Sequence, residues 1–231
     1  MLQAKNILAC LLLLEMFIFT NAPAYGQKGK SPFVGTLTYK ITICDTALQK
    51  FVPTRYMRIH SDDTLTRIEN ESDRLGLQVV IKHMQLNKSY LLLQTPFGKY
   101  AIQTDHNQSK QDSVLPYSFK KKFGKKKICG LKATKTSVRH KGFADPMVFY
   151  CVKKYSPKYL NTFENAPGLP VIYYIPTNDG MYKYELIEVE LRKPAHDLFG
   201  IPSDFERVTF DQFMEEVMKT QEIPVQEDEK K

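Results

Sequence analysis

The chain has 231 residues, 33 Lys plus Arg against 25 Asp plus Glu, a formal net charge of +8, 42% hydrophobic residues and 4 Cys. Such values belong to an ordinary globular domain and exclude an intrinsically disordered chain or a collagen-like rod. At this length about 70% of the unfolded surface is buried on folding, so neither a disulfide nor a metal is required to hold a core.

At the N-terminus Lys5 precedes an apolar run from Ile7 to Thr20, followed by Asn21-Ala22-Pro23-Ala24-Tyr25-Gly26. This is the pattern of a secretory signal peptide, with Ala24 and Gly26 at the −3 and −1 positions for cleavage after Gly26. Ala22 and Ala24 offer a second site. The run is shorter than the ~20 apolar residues of a bilayer span, and it is interrupted by Glu15. Cys10 precedes most of the hydrophobic region instead of following it, so it does not read as a lipid attachment site. The expected organisation is a leader over 1–26, one β-rich domain over 27–222 and a charged flexible tail over 223–231. The leader carries one Lys and one Glu, so the charge of +8 stays with the exported part.

Period-two patterns dominate the rest. Leu37, Tyr39, Ile41 and Ile43 alternate with Thr36, Thr38, Lys40 and Thr42, which predicts a strand over 33–44 with one buried face. Further strands are predicted at 55–60, 65–69, 77–86, 89–95, 100–104, 127–138, 147–153, 171–175 and 181–191. Ser61-Asp62-Asp63, Asn87-Lys88 and Thr177-Asn178-Asp179-Gly180 fit the turns between them. These give about ten short, sequential strands. Several are apolar on both sides: Leu77, Val79 and Ile81 oppose Val80, Met84 and Leu86, and Leu91, Leu92 and Leu93 are contiguous. The second face must meet another layer or line a cavity, as in a curved, half-barrel sheet.

Near the end, Phe210, Phe213, Met214, Val217 and Met218 form one helical stripe, and Thr209 with Gln212 fits a capping box. The helix can plug the core or act as a lid. The fold class expected is mainly β, a curved antiparallel sheet or half-barrel with one C-terminal helix packed on or in it.

Lys120, Lys121, Lys122, Lys125, Lys126 and Lys127 fall within eight residues. They read either as a solvated strand flank that keeps an edge soluble or as a contact for an anionic membrane surface. Lysine lacks the planar fork with which arginine reads bases, and an exported protein meets little nucleic acid, so no nucleic-acid partner is expected. Cys44, Cys129 and Cys151 remain after leader removal. A Cys129 to Cys151 bridge and three small buried hydrophobes are both open readings.

Catalytic chemistry has little support. His60, His83, His106, His140 and His196 show no metal-ligand spacing, and there is no nucleophile elbow, phosphate-binding loop or dinucleotide fingerprint. Asp62 and Asp63 occupy a turn, and Glu188 and Glu190 share a strand face that reads as wet. No cofactor or metal is expected, and an enzyme is the third choice among function classes.

Ile128-Cys129-Gly130-Leu131-Lys132-Ala133, Met147-Val148-Phe149-Tyr150, Gly168-Leu169-Pro170-Val171-Ile172 and Asp197-Leu198-Phe199-Gly200-Ile201-Pro202-Ser203-Asp204-Phe205 follow in that order, after an opening Phe33-Val34-Gly35-Thr36-Leu37-Thr38-Tyr39. The series resembles the exported, uncharacterised Bacteroidetes envelope families that include the GLPGLI group, with Val171 where that motif has its second glycine. The resemblance implies a curved sheet wrapped round a helix, similar to LolA-type lipoprotein carriers, and no known activity. Asp45-Thr46-Ala47, Asp63-Thr64-Leu65 and Asp112-Ser113-Val114 match the O-glycosylation pattern of that compartment.

The functional expectation is an exported, periplasmic or outer-membrane-associated protein that binds a lipid, lipoprotein acyl chain or other hydrophobic ligand. Tyr39, Leu92, Phe149, Tyr173, Phe213 and Met214 are the candidate cavity residues. The alternative is a structural or assembly partner of envelope proteins with a filled core.

Overall fold

The computed structural model describes residues 30–221 except 73–75, 87, 96–97, 105–116, 161–162 and 164. The leader, the tail and the third glycosylation match therefore lie outside the described residues, as does Asn87 of one expected turn. Among the described residues, β1 (Gly35–Ile43), β2 (Arg55–Ser61), β3 (Leu65–Ser72), β4 (Gly76–His83), β5 (Lys88–Thr95) and β6 (Gly98–Gln103) form an antiparallel meander. A second meander comprises β7 (Ser118–Ile128), β8 (Leu131–Arg139), β9 (Met147–Val152), β10 (Leu169–Thr177) and β11 (Gly180–Glu190). The pairing of β1 with β11 joins them, and β12 (Glu206–Thr209) adds in parallel to β6. The result is one open, curved sheet in the order β12-β6-β5-β4-β3-β2-β1-β11-β10-β9-β8-β7, with β12 and β7 as its edges.

Residues paired across antiparallel strands share a face, so the register defines two apolar sides. On the inner side Tyr39 pairs with Met57, Ile59 with Ile68, Ile68 with Val80, Val80 with Leu91 and Leu91 with Ile102, and all belong to one continuous core. On the outer side Val79 pairs with Leu92 and Leu92 with Ala101, a smaller cluster with Ile81. The chain leaves β11 and crosses this outer side, where Ile201 and Phe205 pack on the cluster. It then joins the sheet edge as β12 and enters α1 (Phe210–Gln221), which places Phe213 and Val217 in the inner core. The Tyr100 and Phe213 rings meet edge to face at 5.3 Å. The strands with two apolar faces are thus sandwiched between the C-terminal segment and the inner core.

The expected capping box is present: the Thr209 N–H donates to Gln212 Oε1 at 2.8 Å, and the Gln212 N–H to Thr209 Oγ1 at 3.2 Å. Its helical stripe is narrower than expected, because Met218 is 59% exposed. Among the described residues the expected count of about ten strands becomes twelve. The stretch expected as one strand over 127–138 is broken by a two-residue turn, Cys129-Gly130, with φ of +44° and +79°. Positive φ at both positions gives the mirror-image turn that matches hairpin twist. Cys129 is therefore exposed at a turn, Cys44 is half-buried and only Cys151 is buried, and all three are free thiols. Cys151 pairs across the sheet with Thr134, away from the turn, which leaves no place for the Cys129 to Cys151 bridge.

Gly168 immediately precedes β10 and lies next to Val152, where a Cβ would lie 2.3 Å from the Val152 carbonyl oxygen. The close approach brings Leu169 N–H to Tyr155 O at 3.1 Å. Pro170 then presents its carbonyl to the Tyr39 hydroxyl at 2.9 Å, so the Gly-Leu-Pro element is a packing device in this fold.

Candidate functional site

The second meander carries aromatic residues on the inner face, and they gather into a ring cluster. Phe149 is fully buried at its centre, with centroids 5.6 Å from Phe163, 6.2 Å from Phe119 and Phe143 and 6.3 Å from Tyr173. Tyr173 lies 5.0 Å from Phe163 and 5.7 Å from Tyr39, mostly in the edge-to-face geometry that aromatic quadrupoles favour. It also stacks in parallel on Tyr184 at 4.7 Å. Tyr117, Phe119, Tyr184 and Met214 are half-buried around this inner core, so the inner face carries apolar surface beyond its closed floor.

Tyr39, Phe149, Tyr173 and Phe213 all belong to the inner core, with Met214 at its margin. Leu92 is not with them: it lies on the outer face under Ile201 and Phe205. Sequence reasoning did not single out Tyr117, Phe119, Phe143, Phe163 and Tyr184 for this face. Phe119 and Tyr184 stand at alternate positions of their strands, and register with Val138 and Tyr173 shows which side they join.

Burial sets the chemistry of these rings. It raises the Tyr117 and Tyr184 phenols to about 12 and pushes Tyr39 and Tyr173 well above the ordinary phenol value, so all four are neutral donors near pH 7. His140 stacks on Tyr117 at 4.3 Å. Burial and the charge of Lys141 lower its pKa, favouring the neutral ring. Its Nδ1 accepts from the Gly142 N–H at 3.1 Å, which places the proton of the neutral ring on Nε2. Nε2 is buried and has no hydrogen-bond partner among the described residues. Among the described residues this face thus offers aromatic surface with neutral phenol and imidazole donors, of which His140 Nε2 is buried without a partner.

A polar row crosses the outer face. Thr36 Oγ1 is 3.0 Å from His60 Nδ1, His60 Nε2 is 3.8 Å from Glu69, and Arg67 Nε donates to Glu69 at 2.7 Å. Arg67 also donates to the Leu198 carbonyl at 3.2 Å, tying the crossing segment to the sheet. The His60 ring first, and then the Arg67 guanidinium, hold the Glu69 carboxyl at about 2 despite its partial burial. A carboxylate this stabilised is a poor proton acceptor, so the hydroxyl, imidazole and carboxylate form a structural tie. No local pattern marks His60, because Thr36, His60 and Glu69 meet only through strand register.

A further polar node joins Asp63, Lys158 and Tyr159. The Tyr159 hydroxyl donates to Asp63 Oδ1 at 2.6 Å and accepts from the Phe33 N–H at 2.8 Å, while Lys158 bonds the same carboxylate. Partial burial pushes the Asp63 carboxyl up, but the Lys158 and Tyr159 hydrogen bonds outweigh it and hold the pKa low. Asp62 caps the same turn by accepting from the N–H groups of Thr64 and Leu65. His83 accepts from the Leu86 N–H. No group of three His, Cys, Asp or Glu side chains among the described residues is arranged to hold a metal ion. No described helix is long and apolar enough to cross a membrane.

The six lysines occupy β7 at the sheet edge, exposed from Lys120 to Lys127. Lys126 Nζ lies 6.0 Å from the Tyr150 ring centroid, and no ion pair involves any of the six among the described residues.

No family model matches the chain, and neither does any curated protein. Among solved structures it is similar to PNGF-II, at 15% identity and a TM-score of 0.46, over 80% of this chain and 33% of that one. It is similar to MucB at 11% identity and a TM-score of 0.40, over 82% of this chain and 62% of that one. It is also similar to a chain of the Pseudomonas aeruginosa MucA/MucB complex, at 14% identity and a TM-score of 0.39, over 75% and 57%. The chain spans less than two thirds of the length of each of these structures.

Proposed function

We propose that the protein is an exported, non-enzymatic envelope protein whose single domain, 27–222, binds a hydrophobic ligand against the inner aromatic face of its sheet. The ligand class is a lipid or an acyl chain, free or carried by a lipoprotein. The observation that carries this reading is the half-buried rim of Tyr117, Phe119, Tyr184 and Met214 around the closed ring cluster. An acyl chain laid on such a surface gains about 0.8 kcal/mol per buried CH₂, and His140 Nε2 supplies one donor for a ligand oxygen. The leader pattern over 1–26 and the resemblance to Bacteroidetes envelope families support a periplasmic or outer-membrane-associated location.

A fluorescent apolar probe, N-phenyl-1-naphthylamine, tests the reading. It is expected to bind saturably, to be displaced by a long-chain fatty acid, and to bind several-fold more weakly to the Tyr117→Ala and Phe119→Ala variants. Absence of saturable binding, or binding unchanged in both variants with the β-sheet circular dichroism retained, would contradict it.

The second reading is a structural or assembly partner of envelope proteins. The outer apolar face favours it, because Ile201 and Phe205 of the chain itself cover that face and no ligand is needed there.

A further inference from the structure

The hairpin of β7 and β8 is unlike the rest of the molecule in charge. Between Ser118 and Arg139 it carries Lys120, Lys121, Lys122, Lys125, Lys126, Lys127, Lys132, Lys135 and Arg139, with no Asp or Glu. Those nine positive charges exceed the net +8 of the whole chain, so the remainder is close to neutral. The positive field of the protein is concentrated at one edge of one sheet.

The edge also holds an aromatic ring in a position that solubility does not explain. Lys121 pairs with Thr136 and Lys125 with Thr134, so Lys122, Phe123 and Gly124 stand opposite the single residue Lys135. This is a bulge in the middle of the strand, and such bulges re-aim side chains. Gly124 has φ +125°, a conformation that L side chains rarely adopt, while the space around it is open enough for a Cβ at 3.6 Å from Lys135. Glycine is therefore required by the backbone shape of the bulge. At its crown Phe123 is 103% exposed, the most exposed large hydrophobic residue among those described. Both ends of the strand are anchored, Phe119 in the ring cluster and Ile128 in the core. Lysines alone protect an edge from pairing. A phenylalanine lifted clear of the surface in their midst works against solubility and calls for an apolar contact bordered by negative charge.

We propose that this hairpin docks on an anionic lipid bilayer, with the lysines at the headgroups and Phe123 inserted at the interface. A bilayer surface supplies both halves of that contact. Basic residues concentrate at anionic headgroups, and an apolar side chain such as phenylalanine buries itself at the boundary between headgroups and acyl chains. The lysine stems reach alongside the ring while their ammonium groups stay in water. The proposal stands whether or not the inner face holds a ligand. Through Phe119, however, the docked hairpin would set the aromatic face beside the membrane.

The chain contains no tryptophan, so Phe123→Trp installs a single reporter at the crown. Full-length Phe123→Trp protein is mixed with vesicles of phosphatidylglycerol and phosphatidylcholine, and separately with vesicles of phosphatidylcholine alone. Co-sedimentation and a blue-shifted, acrylamide-protected emission are expected with the anionic vesicles only, with both lost at high salt. The triple variant Lys122→Gln, Lys125→Gln, Lys126→Gln is expected to bind at least about tenfold more weakly, and Phe123→Ser several-fold more weakly. All of these side chains are exposed, so melting temperatures should be unchanged. Three results would overturn the proposal: no sedimentation with anionic vesicles, sedimentation with unshifted tryptophan emission, or equal binding to both vesicle types.

Discussion

Strands β4 to β6 and strand β7 are opposite extremes of the same sheet. In the first, both faces are apolar and both are covered, the inner by the core with α1 and the outer by Ile201 and Phe205. In β7 neither face is covered from Lys120 to Lys127, and charge stands where the other strands place Val, Ile and Leu. One end of the sheet is thus finished by the chain's own C-terminal segment. The other is left open at an edge whose composition suits a charged neighbour. Doubled apolar faces, read alone, point to a cavity; here a covering segment accounts for the outer one, while the inner aromatic face keeps half-buried residues at its margin among those described.

Substitutions on either side of this contrast should differ sharply in effect. Phe149→Ala removes the centre of the ring cluster and is expected to lower stability by about 3–5 kcal/mol in urea unfolding. A loss below about 1 kcal/mol would mean that the inner face is loosely packed and the contrast between the two ends is weaker than described.

Glu69→Gln breaks the row that ties β1, β2 and β3 to the crossing segment. At pH 7 a loss on the order of 1–2 kcal/mol is expected: the depression of the carboxyl from its ordinary 4.5 to about 2 corresponds to about 3.4 kcal/mol in full, and solvent screening of this partly exposed carboxylate reduces it. Because the folded pKa is the lower one, this stabilisation is complete above pH 4.5 and disappears as pH falls toward about 2. Denaturation of wild type and variant at a series of pH values should therefore converge in acid. A constant difference across that range would show that Glu69 acts through packing and not through its charge.

Phe205→Ala opens the outer cluster at a half-buried position and should cost about 1–2 kcal/mol. A thermal melt indistinguishable from wild type would remove the covering role given to the crossing segment. Smallest of all, the lysine-to-glutamine changes on β7 should alter stability by less than about 0.5 kcal/mol. A larger loss would show that the edge is part of the fold instead of a surface set on it.

The strands of both meanders were legible wherever alternation put Leu, Ile, Val or aromatic residues on one side, and the capping box of Thr209 and Gln212 marked the helix. Strand β7 was not, because a run of lysines has low intrinsic β propensity and carries no alternation when neither side is buried. Strand β12 has four residues and pairs in parallel through a long crossing, a relation no local pattern encodes. Side-chain partners depend on register: Leu91 and Leu92 are neighbours in sequence yet belong to opposite faces, and Thr36, His60 and Glu69 align only once three strands are paired. Burial around Phe149 was foreseeable from its strand, but the inner ring cluster draws on β1, β7, β9, β10, β11 and the loop at Phe163, which only topology brings together.

Native mass spectrometry decides whether a ligand occupies the aromatic face. The full chain would be expressed in an exporting cell and purified without detergent, and any adduct would be extracted and identified by lipid analysis. A stoichiometric adduct of defined mass that yields a lipid or acyl chain, and that is lost in the Tyr117→Ala variant, is the expected result. A clean apo mass that persists after incubation with envelope lipids would contradict ligand binding on the aromatic face and move the protein to the role of an assembly partner.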